Sequence, residues 1–346
     1  MLAASFSVTA TLLLGELTAR WFLPEETFWP VSNIYRPMDD ARMGYTYKAN
    51  LNTVAFGVPL ETNDLGLRGR DWTRAKPESA RRIVLVGDSY AFGFGVAFEK
   101  TLGEQLARIL EDRTGTRHEV LNFGINGYNS RQELALLEHL ALGFEPDLVI
   151  VLPTNNDKDE PLAADEEGWL HFDGQPRNRQ SRMSDKWDLE DASRLVKVSR
   201  LLLYLTFRYR LLRQEFREGG LAAWLPAEGE WIGEIPAPSI APQLSETVHR
   251  PLKQMVLLLQ ARDIPMIVAS ACVTSDYRMT LAALAEETGV PMLELMKLFP
   301  EAGSWRDWAA RFGLGWDNHP NAEAHLRFAR ALADLIARLG KGAKRW

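Results

Sequence analysis

The chain has 346 residues, 46% of them hydrophobic and 25% charged, with a formal net charge of -6. That balance is ordinary for a globular protein. It excludes a chain that wraps nucleic acid electrostatically, and no long basic stripe argues otherwise. Six histidines and one cysteine, Cys272, show no zinc-ligand spacing, and a lone cysteine excludes an internal disulfide.

From Met1 to Phe22 the only ionisable side chains are Glu16 and Arg20, four apart on one helical face. About 20 apolar residues cross a bilayer. Residues 1–24 are therefore expected to form a membrane anchor or signal-anchor helix, with a buried helix as the alternative. The nearest positive charges lie on its C-terminal side. Taken alone, they would hold the body of the chain in the cytoplasm. Residues 25–80 read as an irregular lead-in with short strands, one of them around 52–59.

From Arg82 the pattern changes. The apolar runs 82–87, 120–123 and 147–152 read as buried strands, and 101–113 and 131–142 as amphipathic helices between them. The rhythm stops at Pro153. Residues 158–240 are an insertion, a possible lid, with a Leu- and Arg-rich helix expected over 194–217. Trp169, Trp187, Trp224 and Trp231 in this insertion are candidates for stacking on sugar rings or for packing within the lid. Helices at 245–262 and 277–288, strands at 265–271 and 291–295, and a final helix at 322–339 complete the alternation. Such alternation signals an α/β fold with a parallel sheet. The core domain is then 81–157 with 241–340. Cys272, next to an apolar run, reads as core filler.

In an open parallel sheet, ligands bind beyond the carboxyl ends of the strands. Ser89, in Gly87-Asp88-Ser89, lies at that end of the first core strand. A serine hydroxyl is a poor nucleophile until a base takes its proton. His319, on a loop read as following a strand, offers an imidazole, whose ordinary pKa of about 6.5 suits that task. Asp317 is close enough in sequence to orient it. Gly127 and Asn156, each just past a strand, are candidates to hold an oxyanion together with the Ser89 N–H. Gly124 and Asn155 are their rivals. Asp88 reads as a structural hydrogen-bonder, and Ser89 as a mere helix cap is the bland alternative. Gly93-Phe94-Gly95 lacks the third glycine and the acidic partner of a dinucleotide fingerprint.

Four blocks stand in order: GDSYAFGFGV at 87–96, NFGINGYNS at 122–130, PTNND at 153–157 and WDNHPN at 316–321. They resemble the blocks of the SGNH/GDSL hydrolase superfamily. The segment NDLGLRG at 63–69 is similar to bacterial members with an N-terminal hydrophobic segment. The resemblance implies a flavodoxin-like three-layer α/β/α fold and a serine esterase working through an acyl-enzyme. Ser89, His319 and Asp317 would be catalytic, with Ser89, Gly127 and Asn156 forming the oxyanion hole. It implies no metal or organic cofactor, and a small-molecule or carbohydrate ester as substrate, often an O-acetyl group. It also implies a catalytic body outside the cytoplasmic membrane, against the charge argument. An O-acetyltransferase, or a weakly active membrane-tethered component of a polysaccharide-modifying assembly, is the alternative. Two departures stand out. Thr154 replaces the glycine that normally opens the third block, and Asp317 precedes His319 by two residues rather than three.

Overall fold

The computed structural model describes residues 2–22, 34–158, 162–164, 170–172, 199, 201, 202, 205, 206, 209, 232–234, 237–314 and 318–340. The first helix, α1, spans Leu2–Phe22. Its Leu12, Leu13, Leu14, Leu17 and Trp21 are exposed, Trp21 by 84%, so it is not a core helix. Glu16 pairs with Arg20 at 2.8 Å and accepts hydrogen bonds from the Ser199 hydroxyl (2.7 Å) and the Leu201 N–H (3.0 Å). Among the described residues, no helix is long and apolar enough to cross a membrane.

The lead-in is more regular than its composition suggests. Strands β1 (Tyr35–Pro37) and β2 (Tyr45–Tyr47) pair antiparallel, as do β3 (Asn52–Ala55) and β4 (Val58–Glu61). The strand expected over 52–59 is thus split by a two-residue turn. Phe56 and Gly57 both take positive φ, +56° and +77°, the geometry that matches the twist of a tight hairpin.

The core contains β5 (Ala80–Gly87), α2 (Ser89–Phe92), α3 (Leu102–Thr114), β6 (Arg117–Gly124), α4 (Ser130–His139) and β7 (Leu148–Leu152). A short antiparallel pair follows, β8 (Leu162–Ala164) with β9 (Leu170–Phe172). The alternation resumes with α5 (Arg250–Gln260), β10 (Met266–Ser270), α6 (Ser275–Thr288), β11 (Met292–Glu294), α7 (Trp305–Phe312) and α8 (Ala322–Gly340). Helical turns at Pro242–Leu244 and Ser245–His249 lead directly into α5.

The five core strands form one parallel sheet, ordered β11-β10-β7-β5-β6. Taken in chain order of the core strands this is 2-1-3-4-5, the flavodoxin-like arrangement. The strands are apolar throughout because both faces are covered. Val84 and Val86 join the cluster beneath α4, α5 and α6, while Ile83 and Leu85 join the one beneath α3, α7 and α8. Cys272 is a buried free thiol, in keeping with core filler.

One expectation is corrected: the loop bearing His319 follows helix α7 rather than a strand. Most of the helix expected over 194–217, and all four insertion tryptophans, lie outside the described residues.

Candidate active site

The sheet register assembles the site. Gly87 pairs with both Gly124 and Leu152, so β5, β6 and β7 end level and their three loops emerge side by side. After β5 the chain turns at once into α2. Asp88, not Ser89, is the cap: its Oδ1 accepts the Tyr90 N–H at 2.9 Å. Gly93, at φ +80°, ends the helix after a single turn. The Ser89 carbonyl accepts the N–H groups of Gly93 and Phe94, both at 3.1 Å.

A residue from the lead-in braces that turn. Buried Arg68 donates from Nη1 to the carbonyls of Phe92 (3.1 Å) and Gly93 (2.6 Å), and from Nη2 to that of Val96 (2.6 Å). Burial pushes its pKa down to about 10. Arg68 had been visible in sequence only as part of the NDLGLRG block, because its partners lie 24–28 residues away.

His319 arrives from the other end of the chain. Its loop is pinned by the Leu314 N–H on the His319 carbonyl (3.1 Å) and by the Asn321 N–H on the Phe312 carbonyl (2.8 Å). Asn321 caps α8, accepting the N–H groups of Glu323 (3.0 Å) and Ala324 (3.1 Å). This places His319 Nε2 2.7 Å from Ser89 Oγ, across 230 positions of sequence. Asp317 lies outside the described residues.

The two pairs of rivals separate. The Gly124 N–H is already spent on Asn122 Oδ1 (2.9 Å), and Gly124 backs directly onto α2. Gly127, at φ +78°, sits in a turn closed by the Tyr128 N–H on the Ile125 carbonyl (3.1 Å), and among the described residues nothing accepts its own N–H. Asn155 is tied elsewhere: its Oδ1 accepts the Val273 N–H at 3.2 Å. The Asn156 carboxamide is joined through Thr154 to the Asp88–Ser89 turn, its Oδ1 accepting from the Thr154 hydroxyl.

Behind these groups lies a buried polar network that sequence reasoning did not find. The Thr154 hydroxyl faces Asp88 Oδ2 (2.8 Å), Asn156 Oδ1 and Asp157 Oδ1 (3.2 Å). Asp157 also accepts the Thr154 N–H (3.2 Å) and the Ser130 hydroxyl (3.0 Å). Glu133, fully buried on α4, has no hydrogen-bond partner for either carboxyl oxygen among the described residues. Burial pushes all three carboxyls, Asp88, Asp157 and Glu133, above the usual carboxylate range. A hydroxyl has one proton to offer three acceptors. It gives that proton to one of them, and a carboxyl that keeps its own proton can donate to Thr154 Oγ1 in a second contact.

Residues 85–327 match the model of the GDSL-like lipase/acylhydrolase family. The chain belongs to that family. It is accordingly an SGNH/GDSL hydrolase acting on ester bonds. Similar solved structures include a lipolytic protein of the G-D-S-L family from Desulfitobacterium hafniense DCB-2, at 13% identity over 73% of this chain and 98% of that one, TM-score 0.41. A psychrotrophic esterase from Pseudoalteromonas sp. is 14% identical over 75% and 99% of the two chains, TM-score 0.41. The lipase/acylhydrolase from Enterococcus faecalis is 14% identical over 76% and 96%, TM-score 0.40. No curated protein sequence matches this GDSL hydrolase.

Proposed function

We propose that this GDSL hydrolase cleaves O-acyl esters, O-acetyl groups on carbohydrate above all, with Ser89 as nucleophile and His319 as general base. The observation that carries the reading is the 2.7 Å contact between Ser89 Oγ and His319 Nε2. At that distance the imidazole takes the hydroxyl proton as Oγ attacks the ester carbonyl. The carbonyl π electrons move onto oxygen, where the N–H groups of Ser89 and Gly127 and the Asn156 amide receive the charge. Collapse expels the alcohol, which takes the proton back from His319, and leaves an acyl-Ser89 ester. Water then attacks with His319 again as base, releasing the acid and free enzyme. Asp317 is assigned the orientation of His319 from sequence position. The carbohydrate assignment rests on the resemblance of the four sequence blocks.

The exposed leucines and Trp21 of α1 support a membrane-associated enzyme; the placement of its catalytic body on the outer side of the cytoplasmic membrane rests on the resemblance of the sequence blocks. Flotation of the full chain with anionic liposomes, compared with a chain lacking residues 1–24, tests the association.

The test of the chemistry is turnover of 4-nitrophenyl acetate by the full chain and by Ser89→Ala, with fluorophosphonate labelling in parallel. Loss of both turnover and label in Ser89→Ala is expected. Equal turnover by the two proteins would remove Ser89 from the mechanism.

A further inference from the structure

An oxyanion hole works only if its donors already point at the position where charge develops. A backbone N–H is held by the chain, whereas an asparagine carboxamide can turn about its last torsion. Turned by half a rotation, it would present its oxygen, and repel the charge it should stabilise. Asn156 therefore needs something to hold its orientation.

Thr154 supplies a hydroxyl where the glycine that normally opens this block has none. It is buried and two residues from Asn156, whose Oδ1 it contacts. The Asn156 side chain also lies near enough to the Asp88 carboxyl to favour its charged form, against the larger effect of burial. Asp88 is itself immobile. It caps α2 through the Tyr90 N–H at 2.9 Å, and its Oδ2 lies 2.8 Å from Thr154 Oγ1. Asp157, fixed by the Ser130 hydroxyl at 3.0 Å and the Thr154 N–H at 3.2 Å, closes the far side. The carboxamide is thus held at its oxygen, which leaves its nitrogen end for the reacting carbonyl.

We infer that Thr154 is a positioning residue for ester hydrolysis, its hydroxyl fixing the Asn156 carboxamide with nitrogen toward the oxyanion. The inference rests on the reading of Asn156 as an oxyanion donor. Thr154 touches no reacting atom, and its effect on the oxyanion passes through Asn156. It links the nucleophile turn to the loop after β7, so that the Ser89 N–H and the Asn156 amide share one frame.

The experiment is a double-mutant cycle on 4-nitrophenyl acetate hydrolysis, with native packing checked by near-ultraviolet circular dichroism. Thr154→Val keeps the shape and removes the hydroxyl; Thr154→Ser keeps the hydroxyl. Thr154→Val is expected to lower kcat about ten-fold or more with KM within about two-fold, because the lost interaction matters in the transition state. Thr154→Ser is expected to stay within about three-fold of the parent, and Asn156→Ala to lose about a hundred-fold. In the Asn156→Ala background, Thr154→Val should cost about two-fold at most. The inference is overturned if Thr154→Val costs the same factor in both backgrounds, or if Thr154→Ser is as poor as Thr154→Val. If Asn156→Ala leaves kcat unchanged, the oxyanion reading of Asn156 fails first and the inference goes with it. Should Thr154→Val not reach the native fold, Thr154→Ala replaces it in the same cycle.

Discussion

The imidazole of His319 rests against the ring of Phe94, with centroids 4.3 Å apart and planes 29° from parallel. Phe94 belongs to the turn that presents Ser89, its N–H bound to the Ser89 carbonyl. The proposed nucleophile and base are therefore referenced to one short piece of backbone. Tyr90 adds a second contact, its hydroxyl donating to the Asn318 carbonyl at 3.3 Å. Phe94→Leu keeps apolar volume but loses the flat face. We expect kcat for 4-nitrophenyl acetate to fall about ten-fold, since small misplacements of a catalytic group are costly. Phe94→Tyr should stay near the parent. Equal rates for the Leu and Tyr variants would show that the ring face is irrelevant.

Gly124 is where β6 meets α2. A Cβ there would lie 2.3 Å from the Phe92 nitrogen and 2.7 Å from the Ala91 carbonyl carbon, both backbone atoms that cannot swing aside. Gly124→Ala must push α2, and Ser89 with it, away from the sheet. A loss of about 3 kcal/mol or more in urea unfolding is expected, in the upper range for overpacking of a tight interior. Hydrolysis should be impaired even in the folded fraction. A variant as stable and active as the parent would contradict the packing argument.

Glu133, Asp157 and Asp88 hold their protons more tightly in the folded protein than in the unfolded chain, because burial penalises the charged form. Wherever the native state binds more protons, stability falls as pH rises, by about 1.4 kcal/mol per pH unit for each proton so retained. The window opens near the ordinary carboxylate pKa, about 4, and extends upward through the raised values. Glu133→Gln removes one such group without changing its shape. Urea unfolding between pH 5 and pH 8 should show a shallower loss of stability in the variant. Parallel pH profiles would mean that Glu133 is ionised in the native state.

His325 sets the opposite limb. It is fully buried on α8, and its Nδ1 accepts the Leu102 N–H at 3.1 Å, capping α3 across 223 positions of sequence. Burial pushes its pKa down to about 3. The unfolded chain binds this proton below about pH 6.5 and the native state does not, so stability is present above that value and is lost as pH falls toward 3. His325→Gln keeps an acceptor for Leu102 and removes the titration. Its thermal midpoint should vary less between pH 7 and pH 5 than that of the parent. An unchanged acid limb would exclude His325 as its source.

The longer core strands and their helices were legible because each shows its own period, and the three-residue β11 because it falls in the rhythm they set. The runs expected at 82–87 and 147–152 became Ala80–Gly87 and Leu148–Leu152. Helix α7 escaped because it is one of the shorter helices, lying among Gly303, Gly313, Gly315 and Pro320. The tyrosine hairpin β1–β2 escaped because three-residue strands carry no readable alternation. Its Tyr47 hydroxyl accepts the Asn126 N–H at 3.2 Å, next to Gly127, a contact visible only in three dimensions.

By itself the sequence determined which groups are chemically able to act: a hydroxyl at a strand end, an imidazole before the last helix, and glycine and asparagine past two further strands. Residue type and local periodicity are written in neighbours along the chain. The tertiary structure alone decided that Gly124 packs while Gly127 keeps its N–H, and that Asn155 is tied away while Asn156 is joined to the turn through Thr154. It also decided that Thr154, Phe94, Arg68 and the buried carboxyls hold the site together. Those are matters of distance and desolvation between segments up to 230 positions apart, and they exist only once the sheet has brought its strand ends level.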